Sequence, residues 1–371
     1  MPFISNNRNS AYEGDVVELV TDLARGNFKR GQRGTVVAGF DEPSEAYDLE
    51  MEDDSGSFAG LAYSVNPDQF VNLSRSAFVR AMEAVERVDL VAAEKELKTA
   101  TELRPDYIGG FVMSLLATLP DTVEKKGLED DVSYLIPLLR LAVRVDPQYE
   151  FARSNLAVAF LNFGVAKARK KNYQEAIELF YSALGIETDS ETESRIKINL
   201  VMAFTSLARE CFQSNRVEEG FGYVRTSFLI LQDQTTRRNL GIAYGNLGIL
   251  YMKSGRFDFA MEQFQRAEDS GVVLPEFIGN YGVCLVFSGR IAEAIQAFER
   301  VVIIDPQNES AQFNLAKLRR ISTTRLSTGD LNMFGDQFFT PAEGLNSDDR
   351  VLMTLGWRKP PVSSNEFASV A

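Results

Sequence analysis

Two stretches of this chain, 34 residues apart, repeat each other almost position for position. Tyr244, Leu247, Gly248, Tyr251, Arg256, Ala260, Phe264 and Ala267 are echoed by Ile278, Tyr281, Gly282, Leu285, Arg290, Ala294, Phe298 and Val301. A fixed period of this length, with small residues at its eighth and twentieth positions and aromatics between, predicts pairs of antiparallel helices. One such hairpin cannot bury its apolar face alone, so the copies must stack.

The pattern extends upstream. Phe160, Asn162, Phe163 and Gly164, followed by Asn172 to Ile177, Phe180 and Ala183, give a close copy, and Phe204, Leu207, Ala208, Gly220, Phe221 and Val224 give a weaker one. The twentieth-position residues Ala176, Gly220, Ala260 and Ala294 are spaced by 44, 40 and 34, which predicts lengthened loops near 188–196 and 232–238. Ala93, Leu97, Ala100 and Pro105, and again Leu135, Leu139, Ala142 and Pro147, read as second helices of degenerate copies. A glycine inside a helix costs about 1 kcal/mol relative to alanine, so Gly248 and Gly282 imply close helix crossings. Asp146-Pro147 and Asp305-Pro306 mark hairpin ends, because proline drives the preceding residue out of the helical region. Pro137 predicts a kink or a late helix start, and 309–320 a capping helix.

These residues resemble the tetratricopeptide repeat. The resemblance implies a mainly α solenoid over 74–320 whose concave groove binds protein. It also implies that the second, fifth, sixth, ninth and twelfth positions of each first helix face that groove. The residues placed there include Val158, Leu161, Asn162 and Val165 in one copy, Arg209 in the next, Asn246 and Ile249 in the third, and Asn280 and Val283 in the last. Such a groove is largely apolar, and the recurring asparagines can donate to and accept from a ligand's main chain. Arg209 is the single cation among these groove positions, which departs from family members that hold a C-terminal carboxylate with a cationic cluster. An apolar peptide or amphipathic helix is the expected ligand. The plain alternative is that these side chains only pack against neighbouring helices.

Before the helices, residues 12–72 change from helical period to alternation. Val16 to Val20, Thr35 to Phe40, Ala46 to Met51 and Phe58 to Ser64 read as strands, with turns at 30–34 and 53–56 and a helical turn at 66–70. Several short strands with no helix to cover them predict a small SH3-like β-barrel. The strings Gly14 to Leu19, Lys29 to Val37 and Ala46 to Met51 resemble the DUF4926 family, which implies a fold and no activity. Lys29, Arg30 and Arg33 on a glycine-rich turn are also the pattern of an RNA-binding turn. The 13 acidic against 5 basic residues of 1–72 oppose that reading, leaving a solvated hairpin.

Composition removes whole classes of chemistry. The chain of 371 residues has no histidine, so histidine-activated nucleophiles and histidine-bound zinc are excluded. Phosphate loops, dinucleotide fingerprints and paired-cysteine metal motifs are absent from the sequence, so no cofactor or metal is expected and the chain does not read as an enzyme. The acidic run Glu50, Glu52, Asp53 and Asp54 lacks cation-loop spacing and reads as a solvated turn. Cys211 and Cys284 fall within first helices and read as core residues. A net charge of -13 disfavours nucleic acid and anionic membrane as partners, and no stretch reads as a membrane span or leader, so a cytoplasmic protein is expected.

Residues 321–371 are rich in polar and small residues yet carry two apolar clusters, 333–339 and 351–357. Such clusters suggest segments that dock in the chain's own groove or on a partner, or that cap the solenoid. The sequence thus reads as an adaptor or assembly scaffold with a protein or peptide partner and no small-molecule substrate. The alternative is a regulatory subunit of an enzyme with an autoinhibitory C-terminal tail.

Overall fold

The computed structural model describes residues 11–40, 45–117, 133–186, 189–321 and 358. They divide into two compact units, one holding the described residues up to Ala166, those within Ser182–Thr192, and Arg358, the other Lys167–Tyr181 and the described residues within Glu193–Met353.

The first unit opens with strands β1 (Val16–Leu19), β2 (Arg33–Phe40), β3 (Ala46–Glu52), β4 (Phe58–Val65) and β5 (Phe70–Asn72). They form one antiparallel sheet in the order β4-β3-β2-β1-β5. Val17, Leu19, Val36, Leu49, Met51, Ala62, Val65 and Phe70 share a single core, so both edge strands curl around the same apolar centre. Tyr47 meets Phe70 edge-on with ring centroids 5.5 Å apart. The expected strands are all present, and the expected turn at 66–70 is a 3-10 turn over Pro67–Gln69. The basic turn is internally paired: Lys29 Nζ lies 3.1 Å from Asp22, and Arg33 Nε 3.7 Å from Glu18. Asp53 accepts from the Ser55 and Ser57 N–H groups and so shapes the β3–β4 turn.

The chain passes from sheet to helix at Asn72. Asn72 ends β5, caps α1 (Leu73–Glu86) by accepting from the Arg75 N–H at 2.9 Å, and donates to Asp15 at 2.7 Å. Helices α2 (Leu90–Leu103), α3 (Tyr107–Ala117) and α4 (Leu135–Val145) follow. Pro137 is the third residue of α4, so the late start expected of it is observed: its missing N–H falls in the first turn, where no intrahelical acceptor exists.

The remaining helices are α5 (Glu150–Arg169), α6 (Tyr173–Leu184), α7 (Ser190–Gln213), α8 (Val217–Ile230), α9 (Gln234–Lys253), α10 (Phe257–Asp269), α11 (Pro275–Phe287), α12 (Ile291–Ile304) and α13 (Glu309–Ile321). The same three-residue turn closes five hairpins, and its middle residue is left-handed: Val88, Lys171, Asn215, Gly255 and Gly289, with φ between 56° and 75°. In each, the N–H of the next residue reaches back five positions, as from Arg256 to the Tyr251 carbonyl at 2.9 Å and from Arg290 to Leu285 at 2.9 Å. This is the glycine-favoured helix terminator repeated along the chain. The glycines inside helices mark close approach as expected: a Cβ on Gly248 would lie 2.8 Å from the Phe264 ring, and one on Gly282 3.0 Å from Phe298.

One expectation is corrected. From Ser190 and from Gln234 onward the extra residues are not loop but additional turns of helix, giving α7 24 residues and α9 20 against 13 for α11. Asp189 and Asp233 start these helices by accepting from the N–H three residues on, Thr192 at 3.0 Å and Thr236 at 2.9 Å.

Candidate peptide-binding site

The nine residues expected to line a groove all lie on first helices: Val158, Leu161, Asn162 and Val165 on α5, Arg209 on α7, Asn246 and Ile249 on α9, and Asn280 and Val283 on α11. Val158, Leu161, Val165, Ile249 and Val283 are at most 6% exposed, so their side chains are covered by the protein itself. Arg209 is half-buried. The three asparagines have no exposed surface. Among the described residues, the Asn280 amide has no hydrogen-bond partner on either Oδ1 or Nδ2. Asn314, 34 residues further on and 1% exposed, continues the register of Asn246 and Asn280 into α13, and its Nδ2 is likewise without a partner.

Main-chain recognition occurs elsewhere in the first unit, at Asn155. This residue sits on the first turns of α5 and is 0% exposed. Its Nδ2 donates to the carbonyl of Arg358 at 2.7 Å, and its Oδ1 accepts from the Arg358 N–H at 2.8 Å. One amide thus satisfies both main-chain groups of a single residue. Asp189 Oδ2 pairs with the Arg358 guanidinium, which also donates to Thr192 Oγ1 at 3.4 Å.

The Asp189 carboxylate is positioned by its own helix. Its Oδ1 accepts from the Glu191 and Thr192 N–H groups, both at 3.0 Å, and its Oδ2 accepts from the Thr192 hydroxyl at 2.8 Å. Burial alone would push the carboxyl up. The Thr192 N–H and hydroxyl, and then the Arg358 guanidinium, outweigh that and hold it below its ordinary 3.8.

None of Asn155, Asp189 and Thr192 was among the expected groove residues, although the sequence carries a signal for the first. Asn155, Asn199 and Asn239 are spaced by 44 and 40, the same spacings as the repeats they belong to, and all are at most 2% exposed. They sit on the added N-terminal turns of α5, α7 and α9. The corresponding position before α11, which has no such extension, is Val273. The apolar clusters 333–339 and 351–357, expected to dock, lie outside the described residues, and Arg358 directly follows the second.

Both cysteines are buried and free, as expected, and burial pushes the Cys284 thiol up to about 12. No helix among the described residues is long and apolar enough to cross a membrane.

Comparison with known proteins agrees with this architecture. Residues 13–70, which hold β1 to β4 and the first residue of β5, match a domain of unknown function, DUF4926, and residues 246–309 match the tetratricopeptide repeat. A comparison with curated proteins found no match. Among solved structures the chain is similar to the TPR domain of P58(IPK), at 14% identity over 67% of this chain and 65% of that one, with a TM-score of 0.28. It is similar to pilF of Pseudomonas aeruginosa at 15% identity over 66% and 97% of the two chains, TM-score 0.28. It is also similar to YrrB, described as a TPR protein with an unusual peptide-binding site, at 16% identity over 59% and 96%, TM-score 0.26. The chain therefore carries a DUF4926-type sheet followed by tetratricopeptide-type helical hairpins, an architecture whose general use is binding protein or peptide.

Proposed function

We propose that this chain is an adaptor or assembly scaffold that holds an extended segment of its partner by the main chain. The observation that carries the reading is the Asn155 amide, which bonds both the N–H and the carbonyl of one residue. A helical ligand uses those groups internally, so they are free only in an extended one. This favours a peptide strand over the amphipathic helix that apolar groove positions alone suggest. Asn162, Asn246, Asn280 and Arg209 are the proposed polar contacts of the same kind, with Val158, Leu161, Val165, Ile249 and Val283 as the packed layer that fixes them. No catalytic role is part of the proposal. The sheet is taken as a domain over 12–72 that contacts a second partner, ahead of a binding region over 74–320 and a tail over 321–371.

The test is display of random 12-residue peptides against the full-length chain and against Asn155→Leu. Enrichment on the parent that is lost in the variant supports the proposal. Absence of enrichment, or enriched peptides that bind both proteins equally, overturns it. A second reading, a regulatory subunit of an enzyme whose tail is an internal plug, draws on the same contact, because Arg358 belongs to the tail.

A further inference from the structure

We propose that Asn155, Asp189 and Thr192 form a peptide subsite selective for arginine, and that Arg358 occupies it as an internal stand-in for the partner's arginine. This rests on the extended-peptide reading above and adds the side chain that is read and the occupant that must be displaced.

The two halves of the subsite do different work. Asn155 touches only main-chain atoms, so it accepts any residue that has an N–H, which excludes proline alone. Selectivity comes from Asp189 and Thr192, which meet the guanidinium. A guanidinium presents several donors in one plane and can serve a carboxylate and a hydroxyl together, whereas a lysine ammonium acts as a point charge. Because the Thr192 N–H and hydroxyl already hold Asp189, the carboxylate needs no reorganisation when an arginine arrives. The net charge of -13 draws a basic segment toward the chain.

The occupant has the properties of something exchangeable. Arg358 is 203 residues from Asn155 and 169 from Asp189, so the contact closes a very long loop. Its ion pair stays about a third exposed, at 36% and 35% of the two side chains, where such pairs are weak. The amide beneath it is fully buried. A residue that buries a polar amide under a replaceable main chain is built to be covered by one strand or another. Tethering gives the tail a local concentration of order millimolar, enough to hold off weak ligands and yield to a better one.

The experiment uses the full-length chain and Arg358→Ala, titrated into a fluorescein-labelled peptide of residues 353–363 with both ends blocked, read by anisotropy. A matching peptide carries alanine in place of its arginine. Circular dichroism checks that each protein melts as the parent does. Arg358→Ala should bind the arginine peptide about tenfold more tightly than the parent, the amount one charge-assisted hydrogen bond supplies. The alanine peptide should bind Arg358→Ala about tenfold more weakly than the arginine peptide. Adding Asp189→Asn, which keeps a side-chain oxygen to start α7, should abolish that preference. Equal affinity of the parent and Arg358→Ala would show that Arg358 does not compete and would overturn the internal occupant. Equal affinity of the two peptides would overturn the arginine subsite while leaving the adaptor reading intact. No binding of either peptide overturns the subsite, and the display experiment decides separately whether the adaptor reading falls with it. A parent that sediments as a dimer and becomes monomeric in Arg358→Ala would place the occupant on a second copy, also overturning the proposal.

Discussion

Asp15 in the first unit and Asn280 in the second are both fully buried, yet they are treated oppositely. Asp15 accepts from Asn72 at 2.7 Å, from Arg104 at 2.9 Å, from the Tyr12 N–H at 3.0 Å and from Tyr107 at 3.2 Å. Burial, with the Asp15 carboxylate beside it, raises the Tyr107 hydroxyl well above its ordinary value, so that hydroxyl stays a donor. Asn280 has no answering group among the described residues. Asn155 is intermediate: its amide is answered, but by a residue from the tail. A polar network that serves folding is closed by its own neighbours, because each unanswered buried group costs roughly 1 to 3 kcal/mol. An amide left open, or closed by a removable strand, is what main-chain capture requires.

The largest expected effect tests the closed end of this comparison. Asp15→Ala takes from the Arg104 guanidinium, 8% exposed, its buried carboxylate at 2.9 Å and leaves the exposed Asp106 at 3.8 Å, so stability should fall by about 3 to 5 kcal/mol, read by denaturant unfolding. A loss below about 1 kcal/mol, the size of a surface pair, would mean the network is not what joins sheet to helices. Asn280→Leu tests the open end and should have the opposite sign. It removes two unanswered polar atoms in a similar shape, so stability should be unchanged or rise by up to about 2 kcal/mol. A loss comparable to Asp15→Ala would abolish the contrast between the units. Unchanged stability with lost peptide binding would sharpen it into a division between folding and function.

How far the sequence shows this arrangement depends on what kind of residue carries it. Gly248, Gly282 and the alanines at the twentieth position are readable, because a period of 34 repeats their packing constraint and few residue types satisfy it. The strands of the sheet are readable from alternation between turn residues. The Asn155 site is half readable. Its asparagine recurs with spacings of 44 and 40, but recognising that requires knowing that the added residues are helix, and Asp189 and Asp233 as helix starts are the local clue. Asp189 and Thr192 meet Arg358 only through the fold, and no spacing encodes a contact across some 169 residues.

The hairpin turns extend the comparison to the backbone. In the second unit the left-handed position falls on Lys171, Asn215, Gly255 and Gly289, whereas in the first it falls on the β-branched Val88, at φ 60° and 79% exposed. A β-branched residue in that conformation costs about 1 to 2 kcal/mol. Val88→Gly should recover roughly 1 kcal/mol of it, since glycine's greater freedom in the unfolded chain offsets part of the gain. Gly255→Val should lose a similar amount. Equal melting of Val88→Gly and the parent would show that the first unit tolerates the strain without storing it.

The smallest expected effect is an absence of change, and it bears on Asp189. Its carboxyl is held below 3.8 in the occupied site, chiefly by Thr192 against the opposing pull of burial, with Arg358 adding to it. A depressed value means that the carboxylate contributes fully above 3.8 and is lost as pH falls through the lowered value. Affinity of the Arg358→Ala chain for the blocked arginine peptide should therefore be flat from pH 7 to 5 and begin to fall only below 4. The chain has no histidine, so no side chain of ordinary neutral titration is present to mimic the effect. A fall in affinity between pH 7 and 5 would mean that a different acid, raised rather than lowered, governs binding, and Asp189 would no longer be the residue that reads the arginine.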